Sequence, residues 1–175
     1  EIPLRLVGSE MCIRDRSKYT YQLVTQDDEC RPNVGVQVAT KVAADKSIVA
    51  GVTHFCSAVA MGTVGVYSRF GLPVIVWGAV LPEITYGNDF KEVHRVNGTM
   101  INQSEVAAKF MISKGYKKWA IIHDTTDYGK GHNKYFSEFV KKNGGTVLST
   151  FGVTADQQDF TTEPVSYTHL RAHET

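Results

Sequence analysis

KKWAIIHDTTDYGKGHNKYFSEFVKKNGGTVLSTFGV, residues 117–153, is the stretch on which the fold turns. The apolar run Trp119-Ala120-Ile121-Ile122 reads as a strand, and it breaks into a polar, glycine-bearing loop, HDTTDYGKGH. KYFSEFVKK then has helical spacing, Gly144-Gly145 ends the helix, and TVLSTFGV reads as a second strand. Strand, helix, strand in that order is the unit of a parallel sheet covered by helices. In such a sheet ligands sit at the carboxyl ends of the strands, so the loop beginning His123-Asp124 is the first place to look for a site.

The alternation continues upstream. KYTYQLVTQDDE has Tyr19, Tyr21 and Leu23 on one side and Thr20, Gln22 and Val24 on the other, which predicts a strand. Pro32 fits the first turn of a helix over NVGVQVATKVAADK, with Val34, Val38 and Val42 on one stripe. SIVAGV, residues 47–52, is expected as a short buried strand; THFCSAVAMGT leads into a helix reaching about Phe70. GLPVIVWGA is the next strand, LPEITYGNDFKEV a long polar loop, and VHRVNG a short strand leading out of it. INQSEVAAKFMISKG is a helix closed by Gly115, and DQQDFTT begins a further loop and helix. The class is α/β with parallel sheets, and the natural break lies near Val96 to Thr99. Neither side of that break makes a complete doubly wound sheet, as expected of a truncated chain.

Length and composition narrow the classes. The chain has 175 residues, 42% of them apolar, enough for a buried core. Charged residues are 21% with a net charge of +1, and the lysines are scattered, so no field draws the chain to nucleic acid. No apolar run approaches the ~20 residues that span a bilayer. Residues 1–16, EIPLRLVGSEMCIRDR, and 164–175, PVSYTHLRAHET, have no clear period and resemble translated adapter sequence. The expected organisation is therefore two incomplete halves, residues 17–97 and 98–163, between non-native ends.

Several residue sets invite chemistry. Cys30 and Cys56 follow successive strands and start two helices, so a bridge is geometrically possible; two buried free thiols fit equally well. Closing that loop would stabilise by ~3 kcal/mol on a chain-entropy estimate. Cys56 at a helix start, with His54 two residues before, also has the elements of an activated thiol, but no G-x-S-x-G elbow and no clearly placed orienting carboxylate accompany them. Ser57 is better used as a helix N-cap whose hydroxyl and neighbouring amides receive an anion. His123, Asp124, Asp127 and His132 match no standard zinc spacing, so no metal and no cofactor is expected. Tyr128 offers a flat apolar wall and a hydroxyl to a pocket, or packs at its helix start. Trp77-Gly78-Ala79 ends a strand with small residues after a large one, leaving room for a ligand to approach the backbone.

Taken together and in order, DDECRP, THFCSAVAMG, GLPVIVWGAVLPEIT, AIIHDTTDYGKG and DQQDFT resemble the periplasmic substrate-binding proteins of branched-chain amino-acid ABC transporters, over nearly all of residues 19–161. The resemblance implies two Rossmann-like lobes of the periplasmic binding protein type I fold, truncated at both ends, with a ligand clamped between them. It implies a Cys30–Cys56 disulfide, Ser57 bonded to a ligand carboxylate, backbone contact at Gly78, Ala79 and Val80 beside it in the ligand-binding set, with Tyr128 closing from the second lobe. His123-Asp124 becomes a structural strand-end pair. The implied function is non-catalytic: a small amino acid, amide or organic acid is bound and passed to a membrane permease, in the periplasm or outside the cell, with or without a lipid anchor. Two departures bear on the ligand. Val80 stands where amino-acid binders often place Thr or Ser, and Ala58-Val59-Ala60 is more apolar than the family's stretch. Two other readings stay open: an extracellular sensor domain of the same fold, and a cytosolic α/β enzyme using Cys56 with His54.

Overall fold

The computed structural model describes residues 22–154 and 158–159. The adapter-like ends, the start of the first expected strand and most of DQQDFTT lie outside the described residues.

Helix α1 spans Pro32–Ala44, with the proline in its first turn as expected. Strand β1 (Gly51–Thr53), helix α2 (Ser57–Phe70), strand β2 (Val74–Val76) and strand β3 (Val93–Arg95) follow, with a 3₁₀ turn at Pro82–Ile84 inside the long loop. Helix α3 (Met100–Ser113), strand β4 (Lys118–Asp124), helix α4 (Asp127–Lys142) and strand β5 (Thr146–Val153) complete the order. The first three strands form one parallel sheet in the order β1-β2-β3, and β4 and β5 pair in parallel as a second.

Three local expectations fail, each for a packing reason. Residues 22–28 adopt no regular structure, and Leu23 and Val24 are exposed, because no described strand offers that segment a ladder. Strand β1 begins at Gly51, later than expected, and it is not buried: Val49 and Val52 stand exposed on a face that no described element covers. The buried stripe of α1 is Gly35, Ala39 and Ala43, one residue on from the expected valines. Small residues win there because α1 lies so close to α2 that a Cβ on Gly35 would collide with Val59.

The main core lies between the first sheet and its helices. Val74 and Val76 point inward at 1% exposure while Ile75 between them faces out, the period of two that a strand imposes. Each such buried side chain contributes roughly 1.5–3 kcal/mol relative to an exposed one. Val64, Tyr67, Leu72, Ile84 and Met100 join the same cluster. Met100 opens α3 with its amide donated to the Val80 carbonyl at 2.9 Å, so the step towards the second sheet is anchored on the loop after β2. Helix α4 packs against that anchor: a Cβ on Gly131 would press on Met100 and Leu81. Tyr135 of α4 donates its hydroxyl to Glu83 at 2.7 Å, and Lys134 donates to the same oxygen at 3.3 Å.

Candidate functional site

The loops at the carboxyl ends of β1 and β2 are zipped together. Trp77 donates its amide to the Thr53 carbonyl and Ala79 donates to the His54 carbonyl, both at 3.3 Å. Phe55 lies over Gly78, where an added Cβ would sit 2.7 Å from the ring and 3.0 Å from the Phe55 Cα. Glycine at 78 is therefore a close-approach requirement. The Phe55 and Trp77 rings stand 5.6 Å apart and both are exposed, an aromatic pair that sequence reading did not single out.

Two further residues were missed, and they shape the same loop. Asn97 donates to the carbonyls of Gly78 at 3.1 Å and Ala79 at 3.3 Å. Arg95 donates to the carbonyls of Ala79 at 3.2 Å and Leu81 at 2.7 Å. Burial lowers the Arg95 guanidinium, but it remains the cation that satisfies these oxygens. With Met100 on the Val80 carbonyl, the acceptors from residue 78 to 81 are all taken. Among the described residues neither the Gly78 nor the Val80 amide donates to the protein, so this loop offers donors, not acceptors. Both residues fall in VHRVNG, read only as a short strand, and nothing in that reading marked their side chains.

Helix α2 supplies the neighbouring feature. Its N-cap is Cys56, not Ser57 as expected, because the disulfide-bonded cysteine takes the extended backbone and Ser57 becomes the first helical residue. Ser57 is 1% exposed, and among the described residues its hydroxyl has no hydrogen-bond partner. The first-turn amides of a helix likewise lack intrahelical acceptors, and no acidic side chain occupies this turn. An orphaned buried hydroxyl beside free amides has the chemistry to receive a carboxylate.

On the second sheet, Asp124 ends β4 and organises the loop into α4. Its carboxylate accepts from the Thr126 amide at 2.8 Å and from the Thr126 hydroxyl, and Thr126 in turn caps the helix at Gly129. Burial pushes the Asp124 carboxyl up, but the hydrogen bonds from Thr126 and Gly129 outweigh it and hold it below the usual range. His123 donates from Nδ1 to the Asp124 carbonyl at 2.7 Å. Tyr128, the second residue of α4, is half exposed, with its ring edge-on to His132 at 4.7 Å. Among the described residues no three His, Cys, Asp or Glu side chains gather as a metal site. The structure thus holds Gly78 and Ala79 against Phe55 and His54, just before Ser57, with Val80 next in the same loop; Tyr128 lies on α4, the helix whose Gly131 packs on Met100 and Leu81, and its ring contact is with His132 rather than with that set.

Cys30 and Cys56 form a disulfide, with Cα atoms 5.6 Å apart. That removes the thiol enzyme: there is no thiolate, and both ring nitrogens of His54 are engaged, Nδ1 with Asp28 at 2.7 Å and Nε2 with the Tyr67 hydroxyl at 2.8 Å. Burial holds the His54 imidazole below its usual range against the pull of Asp28, and burial pushes the Tyr67 phenol up to about 12. A neutral His54 then donates to Asp28 and accepts from Tyr67.

Residues 14–166 match the family model described as periplasmic binding protein. The chain belongs to the periplasmic binding protein family. The Leu/Ile/Val/Thr-binding protein of Salmonella typhimurium is 35% identical over 140 residues, covering 79% of this chain and 38% of that protein. The chain thus spans about two fifths of the length of the curated relatives it matches. Among solved structures, a leucine-binding protein from Thermotoga maritima superposes with a TM-score of 0.79 at 20% identity, over 86% of this chain and 43% of that one. A solute-binding protein of an ABC transporter from R. palustris, in complex with benzoate, gives 0.80 at 21% identity, over 88% and 43%. These two likenesses carry the type I periplasmic-binding fold alone. The relatives are named for binding and not for catalysis, in agreement with a non-enzymatic chain.

Proposed function

We propose that this chain is part of the solute-binding component of an ABC importer, working in the periplasm or outside the cell. Its ligand is a branched-chain amino acid or a related small amide or organic acid, clamped between the lobes 17–97 and 98–163. The observation that carries the reading is the Ser57 hydroxyl, buried at the start of a fourteen-residue helix without a partner among the described residues. In a family of binding proteins, such an orphan is a docking point for a carboxylate. The Gly78 and Val80 amides add donors beside it, and Val80 meets the ligand through its backbone, since its side chain packs in the core. Ala79 holds the two loops together, and Tyr128 closes from the second sheet. Hinge closure over the ligand would present the closed form to a membrane permease.

The test is a thermal-shift panel on the full-length protein with aliphatic amino acids, amides and aromatic acids. A shift with one carboxylate-bearing class supports the reading. No shift with any member, on folded protein, overturns it.

A further inference from the structure

The disulfide has a polar duplicate. Asp28 lies two residues before Cys30 and His54 two residues before Cys56. One carboxylate oxygen of Asp28 accepts from the Cys30 amide at 2.8 Å, and the other meets His54 Nδ1 at 2.7 Å. His54 is buried at 8% exposure and is pinned from its other side by Tyr67, itself buried in α2. A chain of hydrogen bonds therefore runs from the Cys30 backbone through Asp28 and His54 into the core, crossing the same two loops as the sulfur bridge. Those loops need holding. Glu29, Cys30 and His54 all have positive φ, at 51°, 56° and 45°, a conformation that strains a non-glycine residue and persists only when its surroundings impose it.

We propose that Asp28, His54 and Tyr67 form a template that holds Cys30 and Cys56 in bonding position before the disulfide closes. The reduced chain keeps the native pairing of the two loops, and the bond forms between thiols already apposed. With a small-molecule disulfide such as oxidised glutathione as oxidant, one cysteine thiolate attacks a glutathione sulfur and releases the first glutathione thiolate. The second cysteine thiolate attacks the protein-side sulfur of the mixed disulfide and releases the second. Two electrons pass from the cysteines to glutathione, and the two thiol protons end on the two released glutathione thiolates. The template takes no part in these transfers: it sets the effective concentration of one thiol at the other.

That concentration is measurable from the thiol–disulfide equilibrium with reduced and oxidised glutathione. The sample is the full-length protein with every cysteine other than Cys30 and Cys56 replaced by serine. Measured in native buffer, it is expected to exceed the value in concentrated urea by tenfold or more. Asp28→Ala should lower the native value by about tenfold, the effect of losing a hydrogen bond to a charged group, and leave the urea value unchanged. Tyr67→Phe keeps the ring in the core and should lower the native value by less. If Asp28→Ala does not fold when reduced, as judged by circular dichroism, Tyr67→Phe decides alone. The proposal is overturned if the wild-type values in buffer and urea coincide. It is equally overturned if the deciding variant leaves the native value unchanged, or lowers the buffer and urea values alike.

Discussion

Replacing Ser57 with alanine should move two observables in opposite directions. The hydroxyl is buried and has no partner among the described residues, so it carries an unmet desolvation cost. Such a group costs about 1–3 kcal/mol, and removing one oxygen leaves little cavity behind. Alanine is also the better helix former at this first-turn position. The ligand-free full-length Ser57→Ala protein should therefore resist urea at least as well as wild type, by up to about 1–3 kcal/mol. Ligand binding should go the other way. A hydrogen bond to a charged carboxylate contributes about 1.5–3 kcal/mol, so calorimetric titration with the panel member that binds should give a Kd roughly 10- to 100-fold weaker. A variant with unchanged Kd would refute the assignment of Ser57 to the ligand. A variant destabilised by more than about 1 kcal/mol would show that the hydroxyl has a partner in the protein after all.

Three other expectations follow from the geometry. Gly78→Ala forces a Cβ to 2.7 Å from the Phe55 ring and 3.0 Å from its backbone, and should destabilise by about 1–3 kcal/mol in urea unfolding while weakening ligand binding. Gly35→Ala should also destabilise, although alanine favours a helix by up to about 1 kcal/mol, because the collision with Val59 pushes α1 off α2. A stabilised Gly35→Ala protein would contradict that packing. The third concerns pH. Burial pushes the Glu83 carboxyl up, but hydrogen bonds from Tyr135 and Lys134 more than offset it and leave the folded value below 4.5. A carboxyl lowered on folding contributes stability that is full above its unfolded value and is lost as the pH falls through its folded value. The urea midpoint of Tyr135→Phe should thus lie below wild type near neutral pH and converge with it in acid below the folded Glu83 value. A gap that stays constant into acid would count against the bond.

The helices and the second sheet were legible because their signals are local. Pro32 starts α1, Gly71 and Gly115 mark the ends of α2 and α3, and the TVLSTFGV strand lies where its β-branched run puts it. The alternation of KYTYQLV is just as local, yet residues 22–28 form no strand, since a strand exists only with a neighbour and none is described beside it. The α1 stripe was misread for a related reason. Hydrophobicity pointed to valines, while the tightness of the α1–α2 contact selects Gly35, Ala39 and Ala43. Of the site, the disulfide was left open by spacing and came from family resemblance; the bond between Cys30 and Cys56 bears it out. Arg95 and Asn97 carried no signal at all, because their role is to saturate carbonyls 14 to 19 residues away in sequence. His54 drew notice only as a base beside Cys56; its pairing with Asp28, 26 residues away, carried no signal.

Whether a carboxylate-bearing solute docks at the carboxyl ends of β1 and β2 is decided by a crystal structure of the full-length protein with the binding member of the panel. Carboxylate oxygens are expected within hydrogen-bond distance of the Ser57 hydroxyl and of the Gly78 or Val80 amide, with the Tyr128 ring against the ligand. A ligand bound away from Ser57, or held with its carboxylate turned from the start of α2, would contradict that docking.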